Sequence, residues 1–341
     1  MVACRVLHAA TLDAESFYED YVSSSLPVIV RDERLRGLRS LWTDDYLARL
    51  AGDQVHEEVR LADNSSDFPL TKVAGERTAA HTLAHFLAEY ASPERTTNLY
   101  ATNLVIEKLQ HDLERPPFTA LLDHGCASRW CAGLWLGAGD QRSALHRDFA
   151  ENLHLVVQGK KRFLIFAPNE SLALYPRPEP ANRLGHATSM PAGARTCNDD
   201  GGGCPAPFAR FGAARQRALD CTVHEGEMLF LPSAWWHEVE SHAAEGRSLS
   251  LNWWFKAEWP RETLRAVAAE VEAPGGHLGP AQRAPAYRQL GVELAQRGRA
   301  HDAAPLLRRA LDLEPHDDVA TTALEMLRTR FGVQALRTEL R

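Results

Sequence analysis

Two blocks of short β-favouring runs dominate the middle of the chain: LHLVV and RFLIF within residues 130–166, then MLFLP and SLSLNWWF within 221–257. Runs this rich in branched and aromatic residues, bounded by turn residues, read as strands. Between them lies the segment 167–220, which contains YPRPEPANRLGHATSMPAGARTCNDDGGGCPAP. A Pro- and Gly-rich insertion of that length is expected to be a functional lid or a segment without structure. Many short strands and few long helices point to a sandwich or barrel core.

The flanks read differently. Residues 1–115 alternate short apolar runs with helical patterns. Leu26-Pro27-Val28-Ile29-Val30 predicts a strand with proline at its start, and residues 82–90 (TLAHFLAEY) carry apolar side chains at helical spacing. Towards the other end, Tyr287, Leu290, Gly291, Leu294, Gly298, Ala303, Leu307, Ala310 and Pro315 fall on the spacing of one tetratricopeptide repeat. A lone repeat cannot bury its own face. Residues 284–341 are therefore expected to form a helical hairpin plus a further helix, docked on the main domain or on a second copy of the chain. The expected organisation is a domain over 1–270 and a helical extension over 271–341. Within the domain, an α/β flank (1–115) precedes a β core (116–258) that carries the 167–220 insert.

Composition narrows the class of function. Apolar residues at 45% and charged residues at 24% over 341 positions allow a sizeable core. A formal charge of −7 speaks against a broad phosphate-binding surface, so nucleic acid is not an expected partner. The first residues lack a basic-then-apolar signal pattern and no apolar run approaches ~18 residues, so a cytoplasmic protein without a membrane span is expected. Six cysteines in a chain of this length predict no disulfide framework. Cys126 and Cys131 are expected in the core, and Cys197 and Cys204 in an untied loop.

The chemistry concentrates in residues 143–162, SALHRDFAENLHLVVQGKKR. His146-Arg147-Asp148 followed by Asn152 looks like a kinase catalytic loop, but the Asn falls one place early. No Gly-rich phosphate loop, strand lysine or D-F-G accompanies it. The other reading is a metal pair. On a strand, residues i and i+2 share a face, so His146 and Asp148 can present an imidazole and a carboxylate to one ion. The pattern alone is weak, since His56/Glu58 and His316/Asp318 also fit it, but those pairs lie in polar segments without strand character. By the same alternation Arg147 points away and is expected to matter least, while His154 points inward as a packed residue or hydrogen-bond partner. The third ligand must come from a neighbouring strand. In GEMLFLPSAWWHEV, Gly226 opens a strand, Pro232 closes it and His237 begins the next.

Taken together, His146, Asp148, Glu151 and Gly159, followed by Gly226, Pro232 and His237, resemble the two halves of the cupin signature. Asp148 stands in place of its second His and Ala234 in place of a Gly. Two imidazoles and one carboxylate on one face of an octahedral ion leave three positions open, whereas a structural zinc site would be closed. The combined pattern resembles the JmjC-type Fe(II)/2-oxoglutarate-dependent oxygenases. It is similar to their small protein hydroxylases, such as the asparaginyl hydroxylase of hypoxia-inducible factor. The resemblance runs from about residue 15 to about 258 and is specific at 143–163 and 224–255.

The resemblance implies a mainly β fold: a double-stranded β-helix (cupin or jelly-roll) with flanking α-helices, followed here by the α-helical extension. It implies His146, Asp148 and His237 as the Fe(II) ligands and catalytic centre. Lys161, Ser143 and Tyr100 would hold the far carboxylate of 2-oxoglutarate, with Asn152, Asn252 and Trp254 also lining the co-substrate pocket. Lys161 stands out independently, because the chain has five Lys against 33 Arg. Arg247 is a rival carboxylate clamp, but if Asn252 points into the barrel then Arg247 points away. His224 and His242 are expected near turns in solvent, and Trp235, Trp236 and Trp253 as packing residues. The implied reaction takes up O2 and 2-oxoglutarate, releases succinate and CO2, and hydroxylates a side chain of a protein or peptide over which the insert closes. Without a histone-reader module, hydroxylation is preferred to demethylation. A tRNA-base or small-molecule hydroxylase is the enzyme alternative, and a non-catalytic metal-binding scaffold the alternative of another class. A cupin isomerase or dioxygenase working without 2-oxoglutarate would want the missing H-x-H. The C-terminal helices are the expected surface of a homodimer.

Overall fold

The computed structural model describes residues 1–63, 67–68, 77–94, 97–113, 115–122, 132–177, 187–190, 208–273 and 278–332. Its N-terminal strands are β1 (Val2–Ala3), β2 (Val6–His8), β3 (Val28–Arg31), β4 (Val55–Asp63), β5 (Asp67–Phe68), β6 (Arg77–Thr82) and β7 (Thr97–Val105). The first central block forms β8 (Gly133–Ala138), β9 (Gln141–Arg147), β10 (Glu151–Gln158) and β11 (Lys160–Phe166). The second forms β12 (Leu219–His224), β13 (Glu227–Leu231), β14 (Trp236–His242) and β15 (Arg247–Phe255).

These strands make two sheets, ordered β2-β3-β13-β10-β15-β8-β7-β4-β6 and β1-β12-β11-β14-β9-β5. Three neighbouring pairs are parallel, β1 with β12, β2 with β3 and β5 with β9. The central blocks interleave: β10 lies between β13 and β15, and β14 between β9 and β11. Neither block can satisfy its backbone without the other. Strands of the N-terminal flank extend the larger sheet at both edges, so that flank is continuous with the core.

Alternation along the strands divides the larger sheet into two faces. Leu153, Leu155, Leu249, Leu251 and Trp253 pack with Phe17, Trp42 and Phe86 from the N-terminal helices. Those helices include α1 (Ala14–Phe17), α2 (Leu38–Leu41), α3 (Asp44–Ala51) and α4 (Leu83–Ala91). Helix α4 begins where its apolar spacing predicted, with Thr82 accepting a hydrogen bond from the His85 N–H at its N-cap. The opposite face of the sheet turns toward the smaller sheet. There Val156, Leu229 and Leu231 meet Phe163, Ile165 and Val239 and close one end of the interior.

The described parts of the insert are folded, while most of its Pro- and Gly-rich run lies outside the described residues. They include a turn of tight helix (Pro168–Ala173) and α5 (Arg210–Arg217). Leu174, Met190, Phe211 and Ala214 pack on Leu145, Phe166 and Trp236, on the outside of the smaller sheet. Cysteine use needs a correction: Cys4 and Cys221 are joined by a disulfide that ties the N-terminal segment to β12, with Cα atoms 5.0 Å apart. Cys126, Cys131, Cys197 and Cys204 lie outside the described residues.

The C-terminal part is α-helical as expected: α6 (Arg261–Glu272), α7 (Pro280–Gln296), α8 (Ala300–Leu313) and α9 (Asp318–Phe331). Helix α6 crosses residue 270, so the expected division there falls inside a helix. The helices share one apolar cluster with Phe149 and Ala234 of the β domain, so they pack on the chain's own β domain. Gly291 lets α7 and α8 approach, because a Cβ there would stand 2.7 Å from Leu307 Cγ. Gly291→Ala is accordingly expected to cost about 1–3 kcal/mol through overpacking, read as a lowered thermal midpoint. Among the described residues, no helix is long and apolar enough to cross a membrane.

Candidate metal centre

Strands β9 and β14 pair with His146 opposite His237, so the two imidazoles share one rung of the ladder, ring centroids 4.0 Å apart. Asp148 follows the end of β9 and turns its Oδ2 to 3.7 Å from His146 Nε2 and 3.6 Å from His237 Nε2. One ligand atom from each residue lies within 4.8 Å of the others, a span that one ion can bridge. The outer ring nitrogens are held as well. His146 Nδ1 lies 2.8 Å from the Ala144 carbonyl and His237 Nδ1 3.1 Å from that of Trp235. A carbonyl can only accept, so each Nδ1 carries the proton and leaves the Nε2 lone pair for a metal. Burial holds His237 below the usual histidine range against the opposing pull of Asp148, which favours the neutral form that ligates. The donor set thus fits a divalent transition metal with open positions.

The co-substrate residues read from the sequence gather in the same cleft. Tyr100, Ser143, Asn152, Lys161, Asn252 and Trp254 line it with the triad. Lys161 is 3% exposed and donates to Tyr100 Oη at 3.3 Å. Its ammonium lies 5.9 and 5.8 Å from the rings of Tyr100 and Trp135. No carboxylate among the described residues pairs with it, and burial lowers its pKa to about 7. Asn252 donates to Asn152 Oδ1 at 2.9 Å, joining β15 to β10 at the wall of the cleft.

Ser143 reaches the cleft by a route that strand alternation does not provide. It stands three residues before His146, an odd number, which on a regular strand means opposite faces. In the β9–β14 ladder, however, His146 pairs with His237 and Ser143 with Val239, so β9 carries one residue more than its partner. That bulge returns both side chains to one face. Sequence reasoning also passed over Trp135, Phe163 and Val239, which line the cleft. Trp135 pairs with Ser250, which shares a face with Asn252, a relation that exists only once β8 and β15 have paired.

The other histidines singled out in the sequence lie apart from the triad where they are described. His154 is buried edge-on against Phe163, ring centroids 5.3 Å apart, and stands outside the metal-competent group. Burial, with Lys161 nearby, holds it well below the usual histidine range. His224 is exposed, while His242 is partly exposed and 3.6 Å from Asp140. His316 is exposed in a turn before α9, and the side chain of His56 is outside the described residues. Arg247 points away from the cleft, donating to the Trp42 carbonyl and to Gln158. Trp236 and Trp253 are fully packed, and Trp235 is half-buried.

Two residues beside the ligands carry more weight than the sequence suggested. Arg147 does turn from the metal side, but it is wholly buried and makes a bidentate pair with Glu270 of α6, at 2.6 and 2.9 Å. Its guanidinium also lies over Phe149 and Trp236, 5.0 Å from each ring. The expectation that it matters least is therefore withdrawn. Glu151 also turns away from the triad, accepting from the backbone N–H and hydroxyl of Ser233 and from Arg297. Burial pushes its carboxyl up, and Arg297 opposes that. Ala234, in the position where the cupin signature has Gly, adopts φ 66°, a left-handed conformation costly for alanine. Its N–H donates to the Asp148 carbonyl at 2.7 Å.

The model of the cupin-like domain family matches residues 14–259. The chain belongs to that family. Among its relatives, the chain is 27% identical over 259 residues to the lysine-specific demethylase JMJ30 of Arabidopsis thaliana, covering 74% of this chain and 55% of that protein. It is 33% identical over 134 residues to the bifunctional peptidase and (3S)-lysyl hydroxylase JMJD7 of Homo sapiens, 37% of this chain and 42% of the relative. With JmjC domain-containing protein C of Dictyostelium discoideum it shares 28% over 130 residues, 36% and 28% of the two chains. The chain thus spans about half or less of these relatives' lengths, and the JmjC resemblance read from its motifs is borne out.

Proposed function

We propose that this cupin-like domain is an Fe(II)- and 2-oxoglutarate-dependent dioxygenase that hydroxylates a side chain of a protein or peptide. One observation carries the reading: an open two-histidine, one-carboxylate triad shares its cleft with a buried lysine that no carboxylate among the described residues neutralises. A buried cation without a counterion is costly, so its retention points to an anion that binds there. A metal-chelating end and a distal carboxylate on one small molecule describe 2-oxoglutarate. When bound, Fe(II), 2-oxoglutarate and O2 supply oxidative decarboxylation to succinate and CO2, coupled to hydroxylation of a C–H bond.

The chain's own residues would act as follows. His146, Asp148 and His237 hold the iron, their protonated Nδ1 groups and Asp148 fixing which lone pairs face it. Lys161, with Tyr100 and Ser143, takes the far carboxylate, and Asn152, Asn252 and Trp254 wall the cleft and limit water. The names of JMJD7, a lysyl hydroxylase, and JMJ30, a lysine-specific demethylase, support a protein substrate. A cytoplasmic location and a homodimer through the C-terminal helices complete the proposal. Exposed Met326 and Phe331 on α9 offer apolar surface for such a contact.

The test is consumption of 2-oxoglutarate by the purified protein with Fe(II) and ascorbate, followed by mass spectrometry of peptides for the gain of one oxygen. Absence of both turnover and calorimetric binding of Fe(II) and 2-oxoglutarate would leave the scaffold reading in its place. Lys161 adds a pH signature. Its pKa of about 7 in the ligand-free site means that binding a dicarboxylate above that pH requires proton uptake. The KM for 2-oxoglutarate is therefore expected to be flat just below pH 7 and to rise above it by up to about tenfold per unit. Lys161→Met should raise the KM and remove the dependence.

A further inference from the structure

Asp148 is the least enclosed member of the triad, its side chain 36% exposed against 9% for His146 and 5% for His237. Both histidines are steadied through Nδ1, whereas no hydrogen bond from another described side chain holds the Asp148 carboxylate. Its direction must then be set by the backbone of its turn. That turn is fastened from two sides. The Ala234 N–H donates to the Asp148 carbonyl, and Arg297, the C-cap of α7, donates to the Phe149 carbonyl. Arg297 continues to Glu151 at 3.1 Å and to the Ala257 carbonyl at 2.5 Å. Glu151 in turn grips Ser233, whose hydroxyl accepts from Trp259 Nε1 at 2.6 Å. Ser233 precedes Ala234, so the carboxylate of Glu151 joins the Asp148 turn to the turn that delivers His237. Arg297 and Glu151 are fully buried, side chains 0% and 3% exposed.

We propose, resting on the metal-dependent reading above, that the C-terminal helices are part of the metal centre: Arg297 is a positioning residue that sets the Asp148 carboxylate through Glu151 and the Phe149 carbonyl. No other residue of the helices reaches both acceptors among the contacts described. The guanidinium suits the task because its planar fork can serve three acceptors at once, which a lysine ammonium at the same stem length cannot match in geometry. Helices packed on the β domain thereby act on an ion they never touch.

The experiment uses the full chain and Co(II), whose visible bands report the geometry of its ligands. Co(II) affinity and spectrum are measured for the wild type and for Arg297→Met, Arg297→Lys, His146→Ala and Lys256→Met. The last removes an exposed pair of α7 with the β domain, Lys256–Glu293 at 2.6 Å, and serves as the control for docking alone. All are compared well below their melting temperatures. The expected result is binding weakened about tenfold or more in Arg297→Met, as for other partners that orient metal ligands, with altered bands. Arg297→Lys should lie between it and the wild type, and Lys256→Met should match the wild type. If Arg297→Met does not fold, Arg297→Lys carries the test, since it keeps the charge but loses the fork. Wild-type affinity and bands in the Arg297 variants, while His146→Ala binds no Co(II), would overturn this inference alone. Wild-type protein that binds no Co(II) would overturn the metal reading and this inference with it.

Discussion

Glu270→Ala is expected to destabilise the protein by about 3–5 kcal/mol, because it strands a buried arginine without its partner. Arg147 is 0% exposed and the Glu270 side chain 1%, so neither charge has water to fall back on. The pair is held by more than mutual attraction. Ser171 donates to Glu270 at 2.5 Å while accepting from Trp236 Nε1 at 3.1 Å, so strand β9, the insert, strand β14 and α6 meet at one carboxylate. The double replacement Arg147→Met with Glu270→Met should recover most of the loss, since an apolar pair of similar volume avoids the desolvation cost of both charges. Chemical denaturation of the two singles and the double checks this. A Glu270→Ala protein within half a kcal/mol of wild type, roughly the spread of neutral surface changes, would show that the pair contributes nothing.

The second large effect concerns the chemistry. His146→Ala should abolish 2-oxoglutarate consumption and reduce Fe(II) affinity by more than the roughly 10–100-fold that residues merely orienting a ligand cost. Two donors, Asp148 and His237, would remain where three now lie within 4.8 Å. Lys161→Met is expected to behave differently, leaving metal affinity near that of the wild type while raising the KM for 2-oxoglutarate. The two variants thus separate loss of the ion from loss of its co-substrate. Turnover unchanged in His146→Ala would remove the triad from the mechanism.

How much of this was legible in the sequence depends on the range of the contact. Strand alternation is local, so His146 and Asp148 could be read from their own neighbourhood and His237 from the turn residues around it, whereas Lys161 and Asn252 came from the family resemblance, Lys161 with the support of a chain that has five Lys. The same rule sent Arg247 outward, where the structure has it. What alternation cannot supply is the partner of an outward residue. Arg147 was dismissed for pointing away, yet its partner lies 123 residues later on α6. Glu151 was visible only as a letter of a signature, and Arg297, 146 residues away, carries no local mark at all. The folded parts of the insert escaped for a related reason: Met190 and Phe211 stand apart among polar and small residues, and Leu174 belongs to a run of only four, Leu172 to Tyr175. Their common target, beside Leu145 and Trp236, exists only after the sheets have formed.

The extra residue in β9 makes the interval between Ser143 and His146 a matter of phase. Removing that extra residue would leave Ser143 two places before His146 on a regular ladder, still opposite Val239 and still on the metal face. Keeping the three-residue interval on a ladder without the bulge would instead turn the Ser143 hydroxyl out of the cleft, so spacing and bulge are matched to each other.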